Sequence, residues 1–384
     1  MELFDDCSLS SLSASSLLDP LSAPPPLIPL LLSFDLMLIV ATLCLVISVA
    51  ASNYSQVDKI WSITPFLFAW IPTLLPLFHP VTIPGLPTPL TVPLARNLLM
   101  SLLSTIWGCR LTWNFNRRGG YHFPKFWEGE EDYRWPLLRG GKVPALAFLS
   151  EPVPWTLFNI FFIAYYQNLL LWLTAAPAMV VFMAGVSCEP TAQAVTLTYC
   201  DYVLATAFLG LVFVEATADN AQYAFQTEKY RLINAKKPRT GELADGFLQS
   251  GLYAIVRKPN YAAEQSIWIV FYLFSALATS AYLNWSAVGF LLLVSLFQGS
   301  GWMTELITKE KYAKYRDVYC KRVGLYEPFT ALYWMYVGEG GEEKKEETLA
   351  RGRSPTKSRK TASRSKTPAK GRSKSRAASA KKKK

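Results

Sequence analysis

Histidine is scarce in this chain: among 384 residues there are two, His79 and His122. His122 has no second His or Cys at ligand spacing, which reads as a surface or hydrogen-bonded side chain and leaves no metal site to assign. The six cysteines, Cys7, Cys44, Cys109, Cys188, Cys200 and Cys320, are scattered without a C-x-x-C. That pattern shows neither a disulfide framework nor a zinc module. Cys188 and Cys200 flank a polar loop and are expected as free thiols. Also missing are a G-x-G-x-x-G after a strand, a G-K-[ST] and an H-E-x-x-H, so no motif marks a Rossmann domain, a P-loop or a zinc protease. Residues 1–26 contain no Lys or Arg, which argues against a mitochondrial transit peptide and against a signal peptide with a basic start. Their Ser, Pro and Leu content predicts disorder. Residues 348–384 hold no Asp or Glu but 15 of the 39 Lys and Arg, leaving the body 24 basic against 28 acidic residues. The formal charge of +11 is therefore a property of the tail.

What is present is mostly apolar. With 51% hydrophobic and 14% aromatic residues, the chain has the composition of an integral membrane protein. Apolar runs predict membrane segments near residues 27–51, 60–78, 97–115, 155–173, 201–217, 265–281 and 285–298. Residues 177–186 are expected to extend or break the fourth segment. The predicted fold class is all-α, a polytopic transmembrane bundle of about seven helices over residues 27–336. A disordered N-terminus (1–26) precedes it and a disordered Lys/Arg/Ser-rich tail (337–384) follows it. Lys and Arg concentrate in 117–142, 228–245 and 312–384, which places all three regions on the cytoplasmic side. The Lys/Arg-rich tail suits anionic lipid, and less well nucleic acid, because no aromatics interleave its charges. It carries Ser354-Pro355 and Thr367-Pro368 as candidate phosphorylation sites. The terminal KKKK fits a dilysine retrieval signal of the endoplasmic reticulum.

Several polar constellations interrupt the apolar runs. Asp58 and Trp61 stand between the first two segments, as a helix cap beside an interfacial Trp or as ligand groups. Arg117, Arg118, Lys125 and Arg134 crowd the loop after the third segment. Such a loop suits a dinucleotide phosphate, which the planar guanidinium fork matches, and equally the headgroups of anionic lipids. Glu215, Asp219, Gln222 and Gln226 recur at i, i+4, i+7 and i+11 and share one helix face. Glu215 follows an apolar run, so its carboxylate needs a partner below the membrane surface. Beyond the last segment, Glu305 precedes a basic, aromatic stretch with Tyr312, Tyr315, Arg316 and Tyr319, which also reads as an interfacial helix.

The most informative stretch is 246–264, GFLQSGLYAIVRKPNYAAE. Gly251 favours a turn, and Arg257 and Lys258 set two cations at the water-facing edge. Pro259 disfavours helix at Lys258. Asn260 is then expected to cap a helix starting at Tyr261, with Glu264 on the same face as Asn260. An ion pair between Glu264 and Arg257 is the plainest account of that carboxylate.

R-K-P-N-Y-x-x-E after G-L-Y resembles the C-terminal signature of the steroid 5α-reductase-like membrane proteins, and most closely their uncharacterised relatives. Isoprenylcysteine and phospholipid methyltransferases share a similar R-H-P-x-Y-x-x-E. Trp107-x-x-Arg110, Asp58-x-x-Trp61 and the string from Gly129 to Arg134 resemble further elements of the reductase-like family. Two positions depart from its pattern: Ala263 replaces the usual Gly, and Lys258 replaces the usual His, which removes a titratable imidazole. The resemblance implies an NADPH-dependent reductase of a conjugated carbon–carbon double bond in a steroid-like or other apolar lipid. Glu264 and Glu305 would be catalytic, and Asp219, Arg257, Lys258, Asn260, Tyr261 and Arg134 would bind cofactor. On this reading Asp219, Asn260, Glu264 and Glu305 converge on one cavity. S-adenosylmethionine-dependent methyl transfer and a non-catalytic membrane scaffold using its basic tail stand as alternatives.

Overall fold

The computed structural model describes residues 16, 18–82, 87–187 and 195–337. Most of the expected basic tail, both proline-directed sites, the terminal lysines, Cys188 and the first fifteen residues lie outside the described residues. The chain divides into two compact units, residues 1–333 and 334–384. Of the second, only 334–337 are described, as the end of the helix Phe329–Val337.

Among the described residues the fold is all-α. Seven long helices form the first unit: α1 (Ile28–Ala51), α2 (Thr64–Phe78), α3 (Ala95–Arg117), α4 (Pro152–Gly185), α5 (Tyr199–Asn234), α6 (Pro259–Thr279) and α7 (Ala287–Lys311). Five of them, α1, α4, α5, α6 and α7, are long and apolar enough to cross a membrane. The chain is thus a polytopic integral membrane protein. Residues 177–186 extend α4, which is continuous through a π-helical stretch at Asn159–Tyr166. Residues 20–27, grouped with the disordered N-terminus from composition, instead form two helical turns at Pro20–Ser22 and Pro25–Leu27 that lead into α1. The fifth segment runs far past its predicted end at 217. Its 36 residues reach about 54 Å and carry the polar stripe out of the apolar layer.

Cross-helix contacts give the direction of each helix. Trp172 and Met179 of α4 meet Ser33 near the start of α1, while Asn159 meets Ser48 near its end. Thr73 meets Ser101, and Ser62, just before α2, meets Thr112, so α2 opposes α3. Arg96 pairs with Asp201 and Arg110 with Glu215, so α3 and α5 run the same way. Asn260 meets Asp219 and Phe271 meets Phe208, so α6 opposes α5. The seven helices alternate.

The second half of α4, Gln167–Gly185, is buried almost throughout and packs against α1, α2, α3, α6 and α7. At Gly289 on α7 any Cβ would run into the Leu173 carbonyl of α4, so glycine sets that close approach. At one end of the bundle Arg96 and Asp201 form a bidentate pair with both side chains fully buried, 2.6 and 2.9 Å. Asp201 also accepts from the Thr198 backbone in a capping box that starts α5. The opposite end carries the polar loops and the site.

Candidate functional site

A cavity of about 640 Å³ opens among α3, α4, α5, α6, α7 and the loop after α3. One wall is aromatic. Phe158, Phe162 and Tyr166 follow at i, i+4, i+8 along α4 and stack at 4.8 and 5.3 Å. Leu296, Phe297, Trp302 and Met303 of α7 line the cavity as well. The other wall is acidic.

That acidic wall is assembled from three helices. On α3, Trp107 and Arg110 lie one turn apart and Asn114 one turn further. On α5, Glu215 and Asp219 are likewise one turn apart. On α6, Asn260 and Glu264 complete the set. Asp219 accepts from Arg110 Nη1 at 2.7 Å, Asn114 Nδ2 at 2.8 Å and Asn260 Nδ2 at 3.2 Å. Arg110 Nη2 also approaches Glu215 Oε2 at 2.6 Å. Glu264 is 4% exposed and accepts one indole N–H on each oxygen, from Trp107 at 2.8 Å and Trp268 at 3.0 Å. The two indoles pack edge to face at 4.8 Å, which fixes both donors.

The loop after α3 covers the cavity. The Asp132 amide donates to Ser55 Oγ, the Tyr54 amide donates to Glu131, and Asn53 donates to the Gly129 carbonyl. Arg134 grips Asp132 through Nε and Nη2 at 2.8 and 2.9 Å and reaches Ser300 of α7 at 3.0 Å. Trp135 donates to Asp58 at 3.3 Å. Asp58 is part of the short helix Gln56–Ile60, whose N-cap position is Ser55, and it lines the cavity rather than capping a helix. Burial raises its carboxyl above the usual range although Arg134 pulls it down.

The expected site residues divide. Asp219, Asn260, Tyr261, Glu264 and Arg134 line the cavity. Glu305 and Arg257 do not; they form a second cluster, which corrects the expectation of one shared cavity. Arg257 Nη2 pairs with Glu305 at 3.1 Å, and its Nη1 donates to the Cys320 and Val323 carbonyls. Lys309 approaches Glu305 at 3.3 Å and Tyr315 donates to it. Burial opposes the charge of Arg257, yet the neighbouring Glu305 holds its guanidinium above the ordinary value. Glu305 lies two residues, about half a turn, beyond Met303, the last cavity-lining residue of α7, and so faces away from the cavity, and the segment after α7 folds back over it. Arg257 therefore pairs with Glu305, while Glu264 is served by two indoles. Lys258 is also outside the cavity lining, with Nζ 5.0 Å from the Tyr261 ring centre. Pro259 occupies the first turn of α6, so the helix starts there and not at Tyr261. Asn260 is consequently no cap, and its amide is free to reach Asp219.

Some functional neighbours carried no local signal. Trp268 is a single aromatic in an apolar run, and Gln167 is a single amide beside α4 aromatics. Gln167, 4% exposed, lines the cavity with an Oε1 that has no hydrogen-bond partner. Of the amides on the α5 face, Gln222 and Gln226 lie outside the lining.

No solved structure matches this chain. It is 33% identical over 329 residues, 84% of its length and 85% of the relative's, to the uncharacterized protein C594.04c of Schizosaccharomyces pombe. The family described as Protein of unknown function (DUF1295) matches residues 44–323, the span that holds every residue of the cavity, and the chain belongs to that family.

Proposed function

We propose that this chain is a membrane-embedded oxidoreductase that uses NADPH to reduce a conjugated carbon–carbon double bond in an apolar lipid, steroid-like or other. The carrying observation is a buried acid, arginine and tryptophan network facing an aromatic wall across one cavity. Its size suits a single lipid ring system or chain. The resemblance to the steroid 5α-reductase-like proteins through R-K-P-N-Y-x-x-E supports the same reading.

The residues present fit the cofactor at both ends. Gln167 Oε1 and the Asp219–Asn260 pair would receive a carboxamide deep in the cavity. At the mouth, Arg118 is exposed and lines the opening, and Lys258 stands beside Tyr261, so these two would hold phosphates. Arg134 and Arg257 are engaged in ion pairs and hold the walls instead. When bound, NADPH supplies the hydride. The chain's own groups orient the lipid: the α4 aromatics exclude water and the acidic wall meets the carbonyl.

Methyl transfer from S-adenosylmethionine is the second reading, and one observation favours it. The lining has five carboxylates, Asp58, Asp132, Glu215, Asp219 and Glu264, against Arg118 and Arg134, a balance that suits a sulfonium cation. Titration of the purified full-length protein in lipid nanodiscs with each cofactor separates the two. NADPH is expected to bind, and Arg118→Ala or Lys258→Ala to weaken it about tenfold, or 1.4 kcal/mol, while turnover at saturation is spared. Retention of S-adenosylmethionine with indifference to NADPH establishes the methyltransferase. Binding of neither leaves the scaffold role, with the basic tail as its working part.

A further inference from the structure

Glu215 is the one carboxyl of the inner wall to which neither the R-K-P-N-Y-x-x-E stretch nor the reaction above gives a task. The charged groups facing it are Arg110 from α3, Asp219 one turn along α5, and Glu264 from α6. Three carboxylates thus share Arg110 in a site walled by helices, with Arg117 acting on Asp219 alone, and full ionisation would leave at least one uncompensated negative charge there. Side-by-side carboxylates in such a place hold a proton between them.

Counting donors locates that proton. Asp219 accepts three hydrogen bonds, one of them from Arg110. Glu264 accepts an N–H on each oxygen. Both are therefore served as carboxylates. Glu215 lies 2.6 Å from Arg110 Nη2, but neither atom is aligned to hydrogen-bond. Of the three it alone makes no well-aligned hydrogen bond to a side chain among the described residues, its partner being the Arg110 ion pair.

We propose that Glu215 carries the proton of the inner site and that Glu215, rather than Glu264, is the carboxylic acid that protonates the substrate. Glu264 is then an ionised positioning residue whose charge keeps the proton on its neighbour. The chemical step rests on the reductase reading and balances as follows. A hydride from NADPH adds to one alkene carbon, and the π pair moves toward the carbonyl as an enolate. The Glu215 O–H bond breaks, its proton passes to the adjacent carbon, and the Glu215 carboxylate regains a proton from water.

Two measurements on the full-length protein in nanodiscs test the assignment without any turnover. Infrared spectra at neutral pH should contain a protonated-carboxyl band that is missing in Glu215→Gln. A neutral amide mimics a carboxylic acid, so Glu215→Gln should keep the thermal midpoint within about 2 °C. Glu264→Gln must turn an NH2 toward an indole N–H, and should lower the midpoint by roughly 5 °C or more. A carboxyl band unchanged by Glu215→Gln, the opposite order of midpoints, or a Glu215→Gln chain that does not fold overturns the proposal. Where turnover exists, Glu215→Gln should cut it at least ~100-fold and Glu215→Asp should restore part of it. If the band and midpoints behave as stated but no enone is reduced, the proton assignment stands and the reductase reading falls.

Discussion

Trp107 and Trp268 solve a problem that α6 creates by carrying Glu264 into an apolar layer. A buried carboxylate without donors is costly, and two indole N–H groups supply them without adding charge. Replacing either Trp with Phe keeps most of the apolar volume and removes one donor. Each change is expected to destabilise by about 1–3 kcal/mol, read as a lowered thermal midpoint. The double substitution should cost less than the sum, because a carboxylate stripped of donors takes up a proton instead. Asp58 offers a pH-dependent test of the same physics. Its folded-state carboxyl is raised by burial, so the native chain binds that proton more tightly than the unfolded chain. Its favourable contribution is complete below the ordinary Asp range, near pH 4, and fades as pH rises through the raised value. Asp58→Asn should therefore raise the midpoint at neutral pH, and the advantage should vanish under acid conditions. Melting curves at two pH values check it.

At the level of elements, the segment after α7 is held down by Arg257. Its guanidinium reaches Glu305, Cys320 and Val323, and the adjacent backbone pairs with Gly324 and Leu325. Phe247, Tyr315, Tyr319 and Val323 pack beneath, and Tyr319 donates to the Tyr253 carbonyl. Arg257→Ala leaves Glu305 with Lys309 and Tyr315, so the cost belongs at the low end for a broken buried pair, about 3 kcal/mol. Hydrogen exchange should accelerate over residues 312–327 and hardly change in α4. These elements also mark how far the sequence could be read. The apolar runs announced all seven long helices, and the i, i+4 spacing of Glu215 with Asp219 and of Asn260 with Glu264 placed those pairs on shared faces. What spacing could not reveal is which face meets which. Trp107 and Glu264 are 157 positions apart, and nothing local says that an indole on α3 serves a carboxylate on α6. Glu305 looked like a site residue for the same reason that Glu264 did, a lone acid at a helix mouth. Only the return of the chain after α7 shows that its partner is Arg257. Helix ends were misjudged where polar side chains continued a helix past the apolar layer, as in α5.

Across the whole first unit, the alternation of the seven helices sorts every connection to one of two ends. The connections at the end with the Arg96–Asp201 pair are residues 79–94, 186–198 and 280–286, and their sequence contains no Lys or Arg. Those at the cavity end, 52–63, 118–151, 235–258 and 312–328, contain 15. Such a division is strong for a membrane protein, and Lys and Arg in short loops are retained on the cytoplasmic side. On the proposed reading the cavity end, with Arg118 at the opening and Lys258 close by, then faces the compartment that holds a soluble phosphate-bearing cofactor. The aromatic wall belongs to α4, one of the helices long and apolar enough to cross a membrane, so the proposed lipid would reach it from the bilayer. Single cysteines introduced into a Cys-free background give the direct measurement. Lys237→Cys, in a loop at the cavity end, should react with a membrane-impermeant maleimide only after the cytoplasmic face is opened. Tyr282→Cys, replacing a residue 96% exposed between α6 and α7, should react only from the opposite face. Labelling of both from one face would break the alternation of the helices. Labelling from separate faces in the reversed order would keep the bundle but put the cavity mouth in the wrong compartment for NADPH, and the proposed reaction would have to be abandoned.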